Sequence, residues 1–429
     1  MNFVMLKMKR ASPILVIILL AVMVAGCGGR GKQSTDSSGT VNVIASYAEQ
    51  EPMMQDSMDN DDFITVNVTK SYSTRKTLIL QDFMDVEYIA LETNDEFLHQ
   101  GNVLDIGEKY ILVRNQVSDG NIFIYDSHGK ALRKINRKGE GPEEYNDYRF
   151  AVLDEISEEI FIDDNMKSKC FVYDLYGKFK RSFAYDKASE TALHGVKRYI
   201  DMFNFDKDYL ICFDEFNKET PFVLISKQDG RIAKEIKLPF KEKLILQNFI
   251  EVEPGIGRMV MLSPHFSVIP HKGNYILCEV SSDTVYTFSP DYSMRPFIAR
   301  TPPVQSIDPA LFLFVRLISN RYIFLETTKN EFNWNTGTGF AKDYFMYDRQ
   351  EKNAFGYIVY NGDYATQEIY MSRLTPVNHA EIAYQQKIEA YRLVDDYQNG
   401  RLKDGKLKEI ASQLDAEDNP VIMLVKHKK

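Results

Sequence analysis

The chain has 429 residues, 61 of them acidic and 52 basic, and a formal net charge of −9. An acidic chain repels phosphate backbones, which argues against nucleic acid as a partner. Beside Cys27 the chain has three cysteines, and their odd count and wide spacing do not read as a disulfide framework.

Residues 1–26 read as a secretory signal. Lys7, Lys9 and Arg10 form a basic start, Pro13 to Val24 an apolar stretch, and Ala25 and Gly26 a small-residue approach to Cys27. The apolar stretch is shorter than the ~20 residues that span a bilayer as a helix. Val24-Ala-Gly-Cys27 looks like a bacterial lipobox, which predicts cleavage before Cys27 and lipid on its thiol. Processing would take the charge from −9 to −12, because residues 1–26 hold three bases and no acid. No later segment strings together the roughly 18 apolar residues of a membrane span. The partner of the membrane is thus the lipid on Cys27. Residues 27–60 read as a tether, rich in Gly and Ser at first and acidic from Asp56 to Asp62. Val41 to Tyr47 is its one short strand-like run.

From about residue 61 the pattern is β. One phrase recurs, an apolar strand, a turn with Gly or Asp, and a second strand. Its copies start at Asn121, Cys170, Phe222, Val285 and Tyr344, and the last two are weaker. A second strand phrase precedes them, at Tyr110–Val113, Glu159–Ile162, Tyr209–Cys212, Tyr275–Cys278 and Tyr322–Leu325. Spacings of 49, 52, 63 and 59 residues, with about four strands in each ~40–60-residue repeat, are those of β-propeller blades. Cys212 and Cys278 sit in matching strand phrases, and with Cys170 they read as buried, unpaired thiols.

Five copies leave room for one more blade. Val86–Leu91 and Asn419–Val425 are orphan strands at opposite ends of the chain, and a blade built from both would close the ring. The expected fold is therefore all-β, a six-bladed propeller over residues 61–429 closed by N- and C-terminal strands, with seven blades as the alternative. Two short helices are expected before the last strand. Asn378 and Glu381 suggest a capping box, followed by Tyr384, Ile388 and Tyr391 at helical spacing up to Tyr397. Leu407, Ile410, Ala411 and Leu414 form the second stripe.

The connection after the first hairpin reads Lys138-Gly-Glu-Gly-Pro-Glu-Glu-Tyr145. Together with Tyr125-Asp126, Gly129-Lys130 and the closing Asn419-Pro-Val-Ile-Met-Leu-Val-Lys426, it resembles the six-bladed β-propeller lipoproteins of Bacteroidetes, whose blades are similar to NHL repeats. The resemblance covers about residues 63–426. Gly139, Gly141, Pro142, Glu144 and Tyr145 match the family loop, and Glu143 replaces a glycine. The resemblance implies the fold and almost nothing about activity. It also bears on location. Surface-exported lipoproteins of these bacteria carry acids after the lipidated Cys. Here Gly28-Gly-Arg-Gly-Lys-Gln33 is basic, which favours the periplasmic face of the outer membrane over the cell surface.

Candidate chemistry is sparse. The Gly139–Tyr145 loop has glycines but no P-loop Lys-Ser/Thr, and reads as a structural connection. Asp163-Asp164-Asn165 offers oxygens for calcium but lacks a binding-loop spacing, so a turn is the plainer reading. Ser281-Ser282 has no evident base, and no zinc motif is present, so no metal or cofactor is assigned. His194 and His265 are the best candidates for side chains reaching a central channel. Trp334 lies in a polar, glycine-bearing segment, Asn330 to Gly339, where its face could stack on a sugar ring. The expected function is a binding or scaffold module of the cell envelope for a glycan, peptide or protein. The rival is a lyase or hydrolase acting on a glycan or peptide at the channel.

Overall fold

A computed structural model describes residues 63–115, 119–164, 166–185, 198–245, 247–253, 256–261 and 265–429. The chain divides into two compact units. The larger one, Asp62–Asn248 with Met259–Lys429, is a six-bladed propeller. Strands Gln247–Glu253 and Ile256–Met261 form a two-stranded sheet.

Blades I to V each follow the chain outward through four antiparallel strands. Blade I runs from Asn102–Ile106 to Ala131–Asn136, blade II from Tyr148–Asp154 to Phe179–Ala184, and blade III from Asp201–Asn204 to Ile232–Ile236. Blade IV runs from Val268–His271 to Met294–Thr301, and blade V from Leu311–Ile318 to Asn353–Tyr360. All five repeat phrases are the third and fourth strands of their blades.

The second and third strands are apolar at nearly every position because both faces are buried. In blade V, Tyr322 and Phe324 pack toward blade VI, while Ile323 and Leu325 pack toward blade IV. Six apolar clusters fill the six gaps between neighbouring blades in this way. Each blade supplies half of two cores and is stable only within the ring. Cys170, Cys212 and Cys278 are buried, free thiols within these clusters.

Blade VI closes the ring from both ends of the chain. Its inner strands are Thr375–Pro376, Ile382–Ile388 and Val421–His427, and its outermost is β3 (Met84–Ala90). Asn419 locks the closure. Its amide donates to the carbonyls of Glu92 (2.9 Å) and Phe97, and its Oδ1 accepts from the His99 N–H at 2.9 Å.

The N-terminal strands add a feature the repeats did not announce. β1 (Ile64–Asn67) adds a fifth, parallel strand to the rim of blade IV, and β2 (Arg75–Ile79) does the same for blade V. The short helix α1 (Leu80–Phe83) then leads into β3. Residues 64–90 thus strap three consecutive blades. Gly356 admits the strap: a Cβ there would lie 2.6 Å from the Tyr72 carbonyl oxygen.

One expected helix is corrected. Ile382–Ile388 is a strand, and α2 begins only at Ala390 (Ala390–Gln398). Tyr384 and Ile388 share a parity as well as a helical spacing, and pairing with Val421–His427 selects the period of two. The Asn378 amide, rather than capping a helix, donates to the Asn204 carbonyl. The second stripe does form a helix, α3 (Lys406–Ala411), with Leu407 and Ala411 buried.

Candidate functional site

Antiparallel strands fix which loops share a face. Connections between blades, and loops between second and third strands, emerge together at one end of the ring, here termed the connection face. The remaining turns emerge at the other end.

That other end is shut at the axis. Asn378 of blade VI donates to the Asn204 carbonyl of blade III at 2.6 Å, and the Tyr275 hydroxyl donates to the same oxygen at 2.6 Å. Blades III and VI stand opposite each other in a ring of six, so this contact spans the axis. Asp105, on the inner strand of blade I, accepts from the Leu153 and Ile106 N–H groups at 2.8 and 2.9 Å. Burial pushes its carboxyl up to about 7.

The connection face is charged. Inner strands carry β-bulges in blades II and V, between Tyr148 and Ala151 and between Val315 and Leu317. Bulges re-aim side chains near sites, and these two carry Arg149 and Arg316. Arg149 is exposed. Arg316 is buried and meets Glu326 at 2.9 Å, where Lys342 also binds at 2.9 Å. Burial alone would raise the Glu326 carboxyl, but these two cations hold it below the usual range. Lys243 pairs with buried Glu279 at 2.6 Å, and the Ser281 hydroxyl donates to the same carboxylate at 2.7 Å.

Three further acids face these cations. Asp201 accepts from the Ser267 and Val268 N–H groups at 2.6 and 3.1 Å, and burial raises its carboxyl. Glu215 is raised by burial against the pull of Lys243, Arg198 and Arg149. Asp163 is fully buried between blades II and III. Burial pushes it up to about 7, aided by Asp164 and opposed by Tyr185, Arg149 and Arg198. Burial thus raises three carboxyls beside guanidinium groups, Asp163 up to about 7, which suits either binding or proton transfer.

His265 lies at this mouth, half-buried, its ring 5.2 Å from that of Phe314, which in turn lies under Arg316. Trp334 is on the same face but elsewhere, in a small hairpin of Phe332–Asn333 with Thr338–Gly339, edge-on to Phe332 at 4.9 Å. His194 and Cys27 lie outside the described residues, as does the Val41–Tyr47 run. Asp164 orders a turn, accepting from the Met166 and Lys167 N–H groups at 2.9 Å. In the family loop, Tyr145 is buried and its hydroxyl donates to the Gly120 carbonyl at 2.6 Å, while the Gly141 N–H donates to Glu144 at 2.9 Å. Residues 139, 141 and 143 all have negative φ, so Glu143 costs the loop no strain. Among the described residues no group of three or more His, Cys, Asp or Glu is placed to hold a metal ion.

Sequence reasoning missed Arg149, Arg316, Glu326 and Glu279. The signal was present for the second and third. A lone charge inside an apolar run, as in Phe312-Leu-Phe-Val-Arg-Leu-Ile318 and Tyr322-Ile-Phe-Leu-Glu326, must find a partner when buried.

A solved structure shares this architecture. A crystal structure of a Bacteroides fragilis protein described as exported matches with a TM-score of 0.51 and 15% identity, over 86% of this chain and 99% of that one. A member of the DUF4221 family from Bacteroides vulgatus matches with a TM-score of 0.44 and 10% identity, over 81% and 98%. No curated protein matches the sequence. The first likeness concerns the fold, and it agrees with the resemblance to uncharacterised Bacteroidetes propellers. The family model DUF4934, a domain of unknown function, matches residues 63–426, the whole ring from strap to closing strand, and the chain belongs to that family.

Proposed function

We propose that the protein is a binding module of the bacterial envelope, held by lipid on Cys27 at the periplasmic face of the outer membrane. Its partner, a glycan, peptide or envelope protein, docks at the axial mouth of the connection face. The observation that carries this reading is the asymmetry of the axis. A charged mouth fed by blades II to V stands over a floor bridged by Asn378 and Asn204. A ligand therefore enters from the connection face, and Arg149 is an exposed cation there. A photo-crosslinker placed at Arg149 in living cells should capture an envelope component that one at Arg231, on the far side, does not. Equal capture at both positions, or none at either, would sink the reading. Labelling with a fatty-acid analogue should be lost in Cys27→Ala.

A lyase or hydrolase acting on a glycan or peptide is the second reading. It rests on Asp163, a carboxyl pushed up to about 7 beside two arginines. Release of new ends from envelope glycan or peptide by the parent chain, and not by Asp163→Asn, would separate it from simple binding.

A further inference from the structure

A second recess opens on the connection face, away from the axis. It lies over blade VI, between the segment that enters this blade and helix α2, and has a volume of about 250 Å³. That is below the usual range for drug-sized ligands and suits one small ring.

The cations around it differ in what they already hold. Lys387 donates to the Gln100 carbonyl at 2.7 Å and pairs with Glu389 at 2.9 Å. Arg392 donates to the Tyr391 hydroxyl at 2.9 Å and feels Glu389 and Asp396. Arg373 has no such claim on it. Its guanidinium lies over the ring of Tyr370, 5.0 Å from the centroid, and makes no hydrogen bond or ion pair among the described residues. Tyr370 is half-exposed, and the amide of Gln386 makes no hydrogen bond among the described residues. The recess thus offers one free cation, an aromatic face and neutral hydrogen-bonding groups over a small apolar floor of Ile369, Ile388 and Met423.

We propose that this recess binds a single carboxylated sugar ring, with its carboxylate on Arg373, its C–H face against Tyr370 and a hydroxyl on Gln386. Guanidinium and carboxylate match in a two-bond fork, and pyranose rings present apolar faces to aromatic rings. Charge count selects the carboxylate. One free arginine balances one negative charge, and Glu368 on the lining would repel the second charge of a phosphate. The site is separate from the axial mouth and stands or falls independently of it.

Calorimetry on the purified mature chain tests this with three probes: glucuronate, glucose and inorganic phosphate. Glucuronate should bind, glucose about ten-fold or more weakly, and phosphate not at all. Arg373→Gln should bring glucuronate down to the level of glucose, and Tyr370→Ala should abolish both. Both side chains are on the surface, so unchanged melting temperatures will show that the variants fold. Failure of glucuronate to bind at millimolar concentration overturns the proposal. So does equal binding of phosphate, equal binding of glucose by the parent chain, or glucuronate binding that survives both substitutions.

Discussion

Blades I to III and blades IV to VI solve the same edge problem differently. A propeller's outer strands expose unpaired backbone groups, which invite association. In blades IV and V the strap covers that edge with an extra parallel strand, and in blade VI the outer strand is itself β3. Among the described residues no further strand covers the edges of blades I to III, and each carries an exposed lysine there: Lys134, Lys180 and Lys234. They are tied sideways instead. Arg137 of blade I donates to the Gly177 carbonyl of blade II, and Arg181 of blade II donates to the Lys227 carbonyl of blade III. Lys227 itself reaches back to Asp154 of blade II in a fully buried pair at 2.6 Å. One half of the ring is bound by backbone pairing along its rim, the other by charged side chains between neighbours.

The harshest test removes β1 and most of β2 from the strap. A chain starting after Thr77 loses β1 with buried Ile64, Val66 and Val68. At about 2 kcal/mol for each such side chain, the loss should exceed 5 kcal/mol, and blades IV and V should then associate through bare edges. Denaturant unfolding and size-exclusion chromatography check both effects. A monomer of parental stability would erase the distinction between the two halves.

Lys227→Met probes the other half. It strands Asp154 without its cation and should cost about 3–5 kcal/mol in denaturant unfolding, whereas Lys227→Met with Asp154→Leu should recover most of that loss. No recovery in the double variant would mean that shape, not charge, ties blades II and III.

Asp163 sits in the same gap. Its folded pKa, about 7, lies above the ordinary 3.8. The folded state therefore holds a proton that the unfolded state has released between these values, and stability falls as pH rises through that window. Asp163→Asn should flatten the decline and stabilise the protein at pH 8 by at most about 4 kcal/mol. Asp105 shifts the same way, so some slope should remain. Melting temperatures of both forms at pH 5 and pH 8 are the readout, and parallel curves would refute the assignment.

The turns give the smallest contrast. Gly177, at φ +78°, packs so close to blade I that a Cβ would meet Ile135 at 2.7 Å. Gly177→Ala should cost roughly 2 kcal/mol from strain and contact together. Lys352 occupies the matching turn of blade V at φ +48°. Lys352→Gly should be neutral or gain up to about 1 kcal/mol, and a loss there similar to that of Gly177→Ala would show the turns to be alike.

These turns also explain how much of the fold was legible. Turn glycines and doubly buried strands made blades I to III plain, while Tyr292 and Lys352 at left-handed positions made the copies in blades IV and V look weak. β1 and β2 were invisible as rim strands because four or five residues pairing in parallel leave no repeat of their own. The site was harder still. The ring of His265 lies beside that of Phe314, and Trp334 lies edge-on to Phe332 of its own hairpin. The charges that gather at the mouth come from blades far apart in sequence, and only the closed ring brings them together.

The strap has a mechanical consequence. A pull from the N-terminal side meets β1 before β2, and β2 before β3, the strand that completes the ring with Val421–His427. The first two strands can peel from rims that keep their own four strands. They act as strain relief, like the clamp on a cable, so that a tug on the chain ahead of β1 is spent at the rim before it reaches the seam.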